Sequence, residues 1–226
     1  MQVPRLDSSS EVYDDCAEFT CTALELDENP AVAALAPDLR AEQQRVSDAA
    51  GAVKSRQRMR VRKQAECAVL RERFHRLAGR FNLAILVRCR NNRKSQFYKD
   101  FLPDGLTGLR RVSAEELPSA MRWIIDALNR LGEDPLATEF VPQIQALLEQ
   151  YQAALAHLQQ ADYELEQVRA AEDAVKQAWI TVYRRIYGAL LMLFTDDKGL
   201  VEAFFKQVGN SRRKRNNAAE NSTATA

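Results

Sequence analysis

The sequence is poor in what tight turns require. Among 226 residues there are eight Gly and seven Pro, which excludes an all-β chain of many short strands, a collagen-like repeat and a low-complexity linker. Two His and four Cys (Cys16, Cys21, Cys67, Cys89) supply no Cys-x-x-Cys pair and no zinc-finger spacing. The thiols therefore read as reduced, buried and weakly polar. The greasiest stretch, residues 188–194, falls far short of the ~18–20 apolar residues a membrane-spanning helix needs. The first ten residues carry no apolar segment or small-residue cleavage pattern, so no export leader and a cytoplasmic location are expected. Neither sign of charge is in excess: 32 Lys and Arg meet 31 Asp and Glu. Global electrostatics thus selects neither nucleic acid nor a membrane surface as partner.

What the sequence does have is helical periodicity, and it occurs twice. Asp27-Glu-Asn-Pro30 with Pro37 matches Gly132-Glu-Asp-Pro135 with Pro142, each proline lying 105 residues from its counterpart. At the same offset Leu70/Val175, Phe74/Trp179, Leu77/Val182, Phe81/Ile186 and Ile85/Leu190 are apolar in both copies, at the three-and-four spacing of one helix face. Each copy ends in an aromatic pair before a lysine, Phe97-Tyr98-Lys99 and Phe204-Phe205-Lys206. A duplicated unit of roughly a hundred residues follows: a first helical hairpin over 1–105, a second over 106–210, the two forming one bundle, and a basic, polar, disordered tail over 211–226.

Each copy reads as short helix, turn, long helix and short aromatic segment. One of Ser8, Ser9 and Ser10 can cap the first helix, and Ser113 with Glu116 forms a capping box for its counterpart. The long helices are predicted from about Pro37 to Cys89 and from about Pro142 to Phe194, with Gly51 a candidate break in the first. At 1.5 Å per residue such helices reach on the order of 75 Å, so the expected fold is all-α: an elongated four-helix bundle of two tandem, pseudo-symmetric hairpins with aromatic capping segments. The near-heptad run from Leu148 to Leu190 favours coiled-coil-like packing. Phe74, Leu77, Phe81, Ile85, Trp179, Val182, Ile186 and Leu190 are expected to be buried together where the long helices meet.

The search for chemistry returns no catalytic residue, no metal ligand set and no cofactor. Residues 103–108, Pro-Asp-Gly-Leu-Thr-Gly, have turn chemistry without the lysine of a phosphate loop. Glu72-x-x-His75 resembles half of a di-iron ligand pattern, but the matching positions are Gln177 and Ile180, and neither can complete it.

Charge patterning is more informative. Lys54, Arg56, Arg58, Arg60, Arg62 and Lys63 crowd into ten residues without an acid, and the other copy carries Asp162, Glu164 and Glu166 at the corresponding level. These nine residues are the candidate charged interaction surface, expected to pair within the chain or between chains. Phe97, Tyr98, Phe204 and Phe205 are candidate docking or capping aromatics. The reading is a non-enzymatic interaction or scaffold protein acting on itself or on another protein, with no membrane role. The alternative is a nucleic-acid-binding module using Lys54–Lys63 and the tail residues Arg212 to Arg215.

Overall fold

Three of the short helices start where the sequence supplies a side-chain cap: Asn29, Ser95 and Asp197. In a computed structural model, which describes residues 1–207, α1 runs Ser10–Glu25 and α2 Pro30–Ala33. The long α3 covers Ala36–Arg88, followed by α4 Gln96–Phe101 and α5 Gly105–Arg111. Then come α6 Leu117–Asn129, α7 Pro135–Leu193 and α8 Lys198–Ala203. The structure is 79% helix with no strand among the described residues, so the chain is all-α and its cores form by helix-on-helix packing alone. The tail 211–226, with Arg212 to Arg215, lies outside the described residues.

The caps are specific. The Asn29 side chain accepts from the Ala31 amide at 3.0 Å, and Asp134 Oδ1 accepts from the Leu136 amide at 2.9 Å. In each case a proline follows at the first helical position, where no amide is missed. Ser113 Oγ accepts from the Glu116 amide and donates to the Glu116 carboxylate at 2.9 Å. Serine and glutamate thus lock to each other in the turn before α6, whose own N-cap, Glu116, makes no side-chain cap bond, so the expected capping box closes the turn and does not cap the helix. At α1 the Ser9 side chain makes no cap bond; Ser8 Oγ accepts from the Arg5 amide instead.

Two local expectations are corrected. The second long helix begins at Pro135, not near Pro142, which lies inside it. An interior proline costs about 3 kcal/mol, but ending the helix there would detach the turn carrying buried Leu136, Ala137 and Phe140. Gly51 does not break α3. A helical glycine costs only ~1 kcal/mol relative to alanine, and a helix held at both ends by packing absorbs that.

The chain divides into two compact units that do not follow chain order. The first combines residues 1–55 with 166–207. Its core joins Tyr13, Cys16 and Leu24 of α1, Leu39 and Val46 of α3, Trp179, Tyr183, Ile186 and Leu190 of α7, and Val201, Phe204 and Phe205. The second is continuous, Arg56–Leu165. Its core joins Phe74, Leu77, Phe81 and Ile85 of α3 with Tyr98 and Phe101 of α4, Met121 and Ile124 of α6, and Phe140, Ile144, Leu148 and Tyr151 of α7. The single shared cluster expected from the two apolar faces is therefore wrong. The faces belong to different cores because each long helix contributes one end to each unit. In both, the start of one long helix pairs with the finish of the other, as the Arg185–Asp38 and Arg88–Asp134 ion pairs record.

Three cysteines, Cys16, Cys21 and Cys67, are buried and free. Burial pushes the Cys21 thiol from 9.0 up to about 11. Burial, reinforced by Asp173, Asp7 and Glu172, pushes the Tyr13 phenol from 10.0 up to about 12. Both groups are neutral when folded and ionise more readily when unfolded, so their stabilising contribution is complete below about pH 9. It is lost as pH rises through about 11 to 12. The first unit should therefore show a lower denaturant midpoint at pH 11 than at pH 8, followed by Trp179 fluorescence in a Trp123→Phe chain; equal midpoints would contradict this.

Candidate interaction surface

The second unit concentrates positive charge on one helix. Over residues 56–88, α3 carries ten Lys and Arg against two acids, whereas residues 135–165 of α7 carry four acids and no Lys or Arg. Two carboxylates of α7 answer part of this charge: Arg56 Nη1 lies 2.6 Å from Glu164 Oε2, and Arg60 Nε pairs with Asp162. Lys63 turns along its own helix to Glu66 at 3.0 Å. Arg58 and Arg62 are exposed and have no ion-pair partner among the described residues. Lys54 and Glu166, the remaining members of the predicted set, are exposed residues of the first unit.

The predicted charged surface is thus split by function. Arg56 with Glu164 and Arg60 with Asp162 form ion pairs between α3 and α7. Each of these pairs is one-third to one-half exposed, so each contributes only about 0–1 kcal/mol. Arg56→Glu with Arg60→Glu should leave helix content unchanged by circular dichroism and lower the denaturant midpoint slightly. Adding Asp162→Lys and Glu164→Lys should restore the midpoint, and failure of this rescue would show that the pairs do not set the α3–α7 contact.

The four aromatics pack inward. Phe97 lies edge-on to Phe101 at 5.2 Å, with the Arg88 guanidinium 5.0 Å above its ring. Tyr98 donates its phenol hydrogen to Asn82 Oδ1 at 2.8 Å in a buried bond. Phe205 meets Tyr183 edge-on at 5.0 Å, and Phe204 stacks near Phe194 at 6.1 Å. Each group covers the apolar end of a long helix within its own unit, and Tyr98, Phe204 and Phe205 are buried.

Chemical machinery is sparse. His75 Nδ1 sits 3.8 Å from Glu72, and burial together with Arg71 lowers the imidazole's pKa, favouring its neutral form. No group of three or more His, Cys, Asp or Glu among the described residues is placed to hold a metal ion. No helix among them is long and apolar enough to cross a membrane.

Sequence reasoning missed the face of α3 that extends the basic run. Arg58, Arg62, Val69, Arg73, Arg76, Arg80, Leu83 and Val87 recur at three-, four- and seven-residue steps, which aligns them along one side of a helix. Every one of them is exposed, with Val69, Leu83 and Val87 at 53%, 63% and 81%. The buried residues Phe74, Leu77, Phe81 and Ile85 lie on the opposite side. Arg76 pairs with Glu72 of its own helix, and Arg80 donates to the Gln143 side-chain oxygen at 2.8 Å. Beside this face an open groove of about 650 Å³ is floored by Ala65, Leu70 and Ala154, with Arg62, Arg73 and His157 around it. The spacing was visible in the sequence, but it mixes arginine with valine and leucine, so no search for an apolar stripe detects it. No family model, characterised protein or solved structure matches the chain.

Proposed function

We propose that the chain is a non-enzymatic helical interaction module that acts by binding protein, built by duplication of one helical hairpin. The observation that carries the functional reading is the exposed α3 face of the second unit. Its arginines are interleaved with Val69, Leu83 and Val87. A surface of that composition gains from a partner offering carboxylates and apolar side chains together, and arginine is enriched at protein interfaces while isolated aliphatic exposure carries no such meaning.

The duplication is supported by the order of elements. α1 and α6, α3 and α7, and α4 and α8 follow one another in the same sequence, and the short helices sit before prolines 105 residues apart. At that offset Cys16/Met121, Leu39/Ile144, Val46/Tyr151, Phe74/Trp179 and Ile85/Leu190 are buried in both copies. On this reading α1, α3, α6 and α7 are the four principal helices of a pseudo-symmetric bundle, with α4 and the Phe204-Phe205 segment after α8 as equivalent aromatic caps. The free, mostly buried cysteines support a further part of this reading, action in a reducing, cytoplasmic compartment.

A nucleic-acid-binding role is the second reading, favoured by the charge of the second unit. Eighteen Lys and Arg against thirteen Asp and Glu leave it at +5. Two features weigh against it. Arg56 and Arg60 are already held by carboxylates, and phosphates gain nothing from Val69, Leu83 and Val87. A photo-crosslinking residue at Val69 in the native host decides between the readings. Protein adducts resistant to nuclease are the expected product. Nuclease-sensitive adducts would transfer the role to nucleic acid, and the absence of any adduct would remove the proposed function.

A further inference from the structure

The near-neutral chain consists of two units of opposite charge. Against the second unit's +5, the described part of the first carries ten Lys and Arg and seventeen Asp and Glu, a net of −7. The deficit lies wholly in residues 1–55, with four basic and eleven acidic residues, and α1 alone holds five acids and no Lys or Arg. Its exposed side presents Glu11, Asp14, Asp15, Glu18 and Glu25 at three-, four- and seven-residue steps, flanked by Phe19 and Leu26 at 45% and 80% exposure. Within the unit, Arg40 meets Glu18 and Glu25, Lys206 meets Asp15, and Gln43 bonds Asp14. Two cations and one amide therefore serve five carboxylates, and Glu11 has no ion-pair partner among the described residues.

We infer that the arginine face of α3 in the second unit docks the acidic face of α1 in a second copy of this chain. The inference rests on the reading of the chain as a protein-binding module and supplies its occupant. The two faces match in three respects. One offers Arg58, Arg62 and Arg73, which have no ion-pair partner among the described residues, and the other an acidic surplus, so contact brings opposite potentials together and steers encounter. Each face also carries its own apolar residues: Val69, Leu83 and Val87 on α3, Phe19 and Leu26 on α1. The open groove beside Val69 supplies a concave seat for an aromatic or leucine side chain. The match also acts against like faces, because two arginine faces or two α1 faces repel.

Sedimentation velocity of the full chain tests the contact. The wild type should associate at ~50 mM salt and weaken at least about tenfold at ~500 mM, where the Debye length is about half that at 0.1 M. Arg62→Glu, Arg73→Glu and Arg76→Glu in one chain should abolish self-association, and so should Glu11→Lys, Asp14→Lys and Glu18→Lys in another. Mixed together, the two variants should restore it, because a glutamate face then meets a lysine face and an arginine face meets the native α1. Circular dichroism on each variant shows whether the fold is retained, and the wild-type salt dependence stands whatever the variants do. A wild type that stays monomeric at about 100 μM and low salt overturns the inference. So does a mixture of folded variants that fails to associate, or a wild-type assembly insensitive to salt. A monomer that still forms protein adducts through Val69 in the host would lose the second copy as occupant while leaving the protein-binding function intact.

Discussion

Replacing Trp179 with alanine is expected to destabilise the protein by about 3–5 kcal/mol, the range for deleting a large buried aromatic. Trp179 is fully buried. Its indole stacks on Tyr183 at 4.5 Å and meets Tyr13 edge-on at 5.0 Å, so it joins α1 to the last turns of α7. Truncation would leave a cavity lined by two aromatic rings that cannot move together to fill it, since Tyr13 donates to the Arg5 carbonyl at 3.0 Å and Tyr183 accepts from Thr20 at 3.3 Å. Urea denaturation followed by circular dichroism measures the loss. Hydrogen exchange should place it in residues 1–55 and 166–193, with little change in 56–165. A cost below ~1 kcal/mol, or an equal loss of protection throughout, would show that Trp179 does not organise a separate core.

Lys176→Met should cost a similar amount by a different mechanism. Lys176 is 6% exposed. Its ammonium donates to the carbonyls of Ser8 and Leu6 at 3.1 and 3.4 Å, and lies 3.0 Å from Glu172 Oε1. The Tyr13 ring lies 5.7 Å away. Removing one partner strands the other: the Glu172 carboxylate and two carbonyls lose their donor, and broken buried pairs cost about 3–5 kcal/mol. The apolar double replacement Lys176→Met with Glu172→Leu should recover most of that loss, because the stranded charge goes too. If the single and double variants are equally destabilised, the lysine acts by packing alone. In the single variant, residues 1–9 should lose exchange protection before α1 does, since two of its bonds end there.

Much of this architecture is legible in the sequence, and the illegible parts share a cause. The long helices follow from periodicity, and the breaks that separate short from long helices from Asn29-Pro30 and Asp134-Pro135, because caps and prolines act within a few residues. The capping place of Phe97-Tyr98 and Phe204-Phe205 follows from the apolar faces nearby that need cover. Partition of the core does not. Phe74 and Trp179 occupy matching positions, but whether matching positions touch depends on the relative direction of two helices, which no local pattern encodes. The start of α7 at Pro135 was hidden for a related reason: the penalty at Pro142 is local, while the burial of Leu136 and Phe140 that outweighs it is tertiary. The charged level around Arg60 and Asp162 is visible as composition, but the choice of which arginines pair and which face outward is set by rotation of α3 about its axis. The faces of α3 and α1 escaped notice because each mixes charge with aliphatic side chains.

The discontinuous make-up of the first unit has a consequence for synthesis. Its closing contacts span most of the chain: Lys176 reaches Leu6 across 170 positions, and Lys206 reaches Asp15 across 191. The second unit needs only the continuous stretch Arg56–Leu165. A ribosome completes that stretch before residues 166–207, and it can condense while they are still being made, since domains fold as units during translation. Throughout that interval α1 waits without Trp179, Tyr183 or Phe205, its cysteines and Leu24 uncovered. The nascent chain therefore passes through a stage in which a finished domain carries an open, acidic, partly apolar arm. Pulse proteolysis of chains truncated after Leu165 and released from the ribosome should cut within 1–55 and spare 56–165.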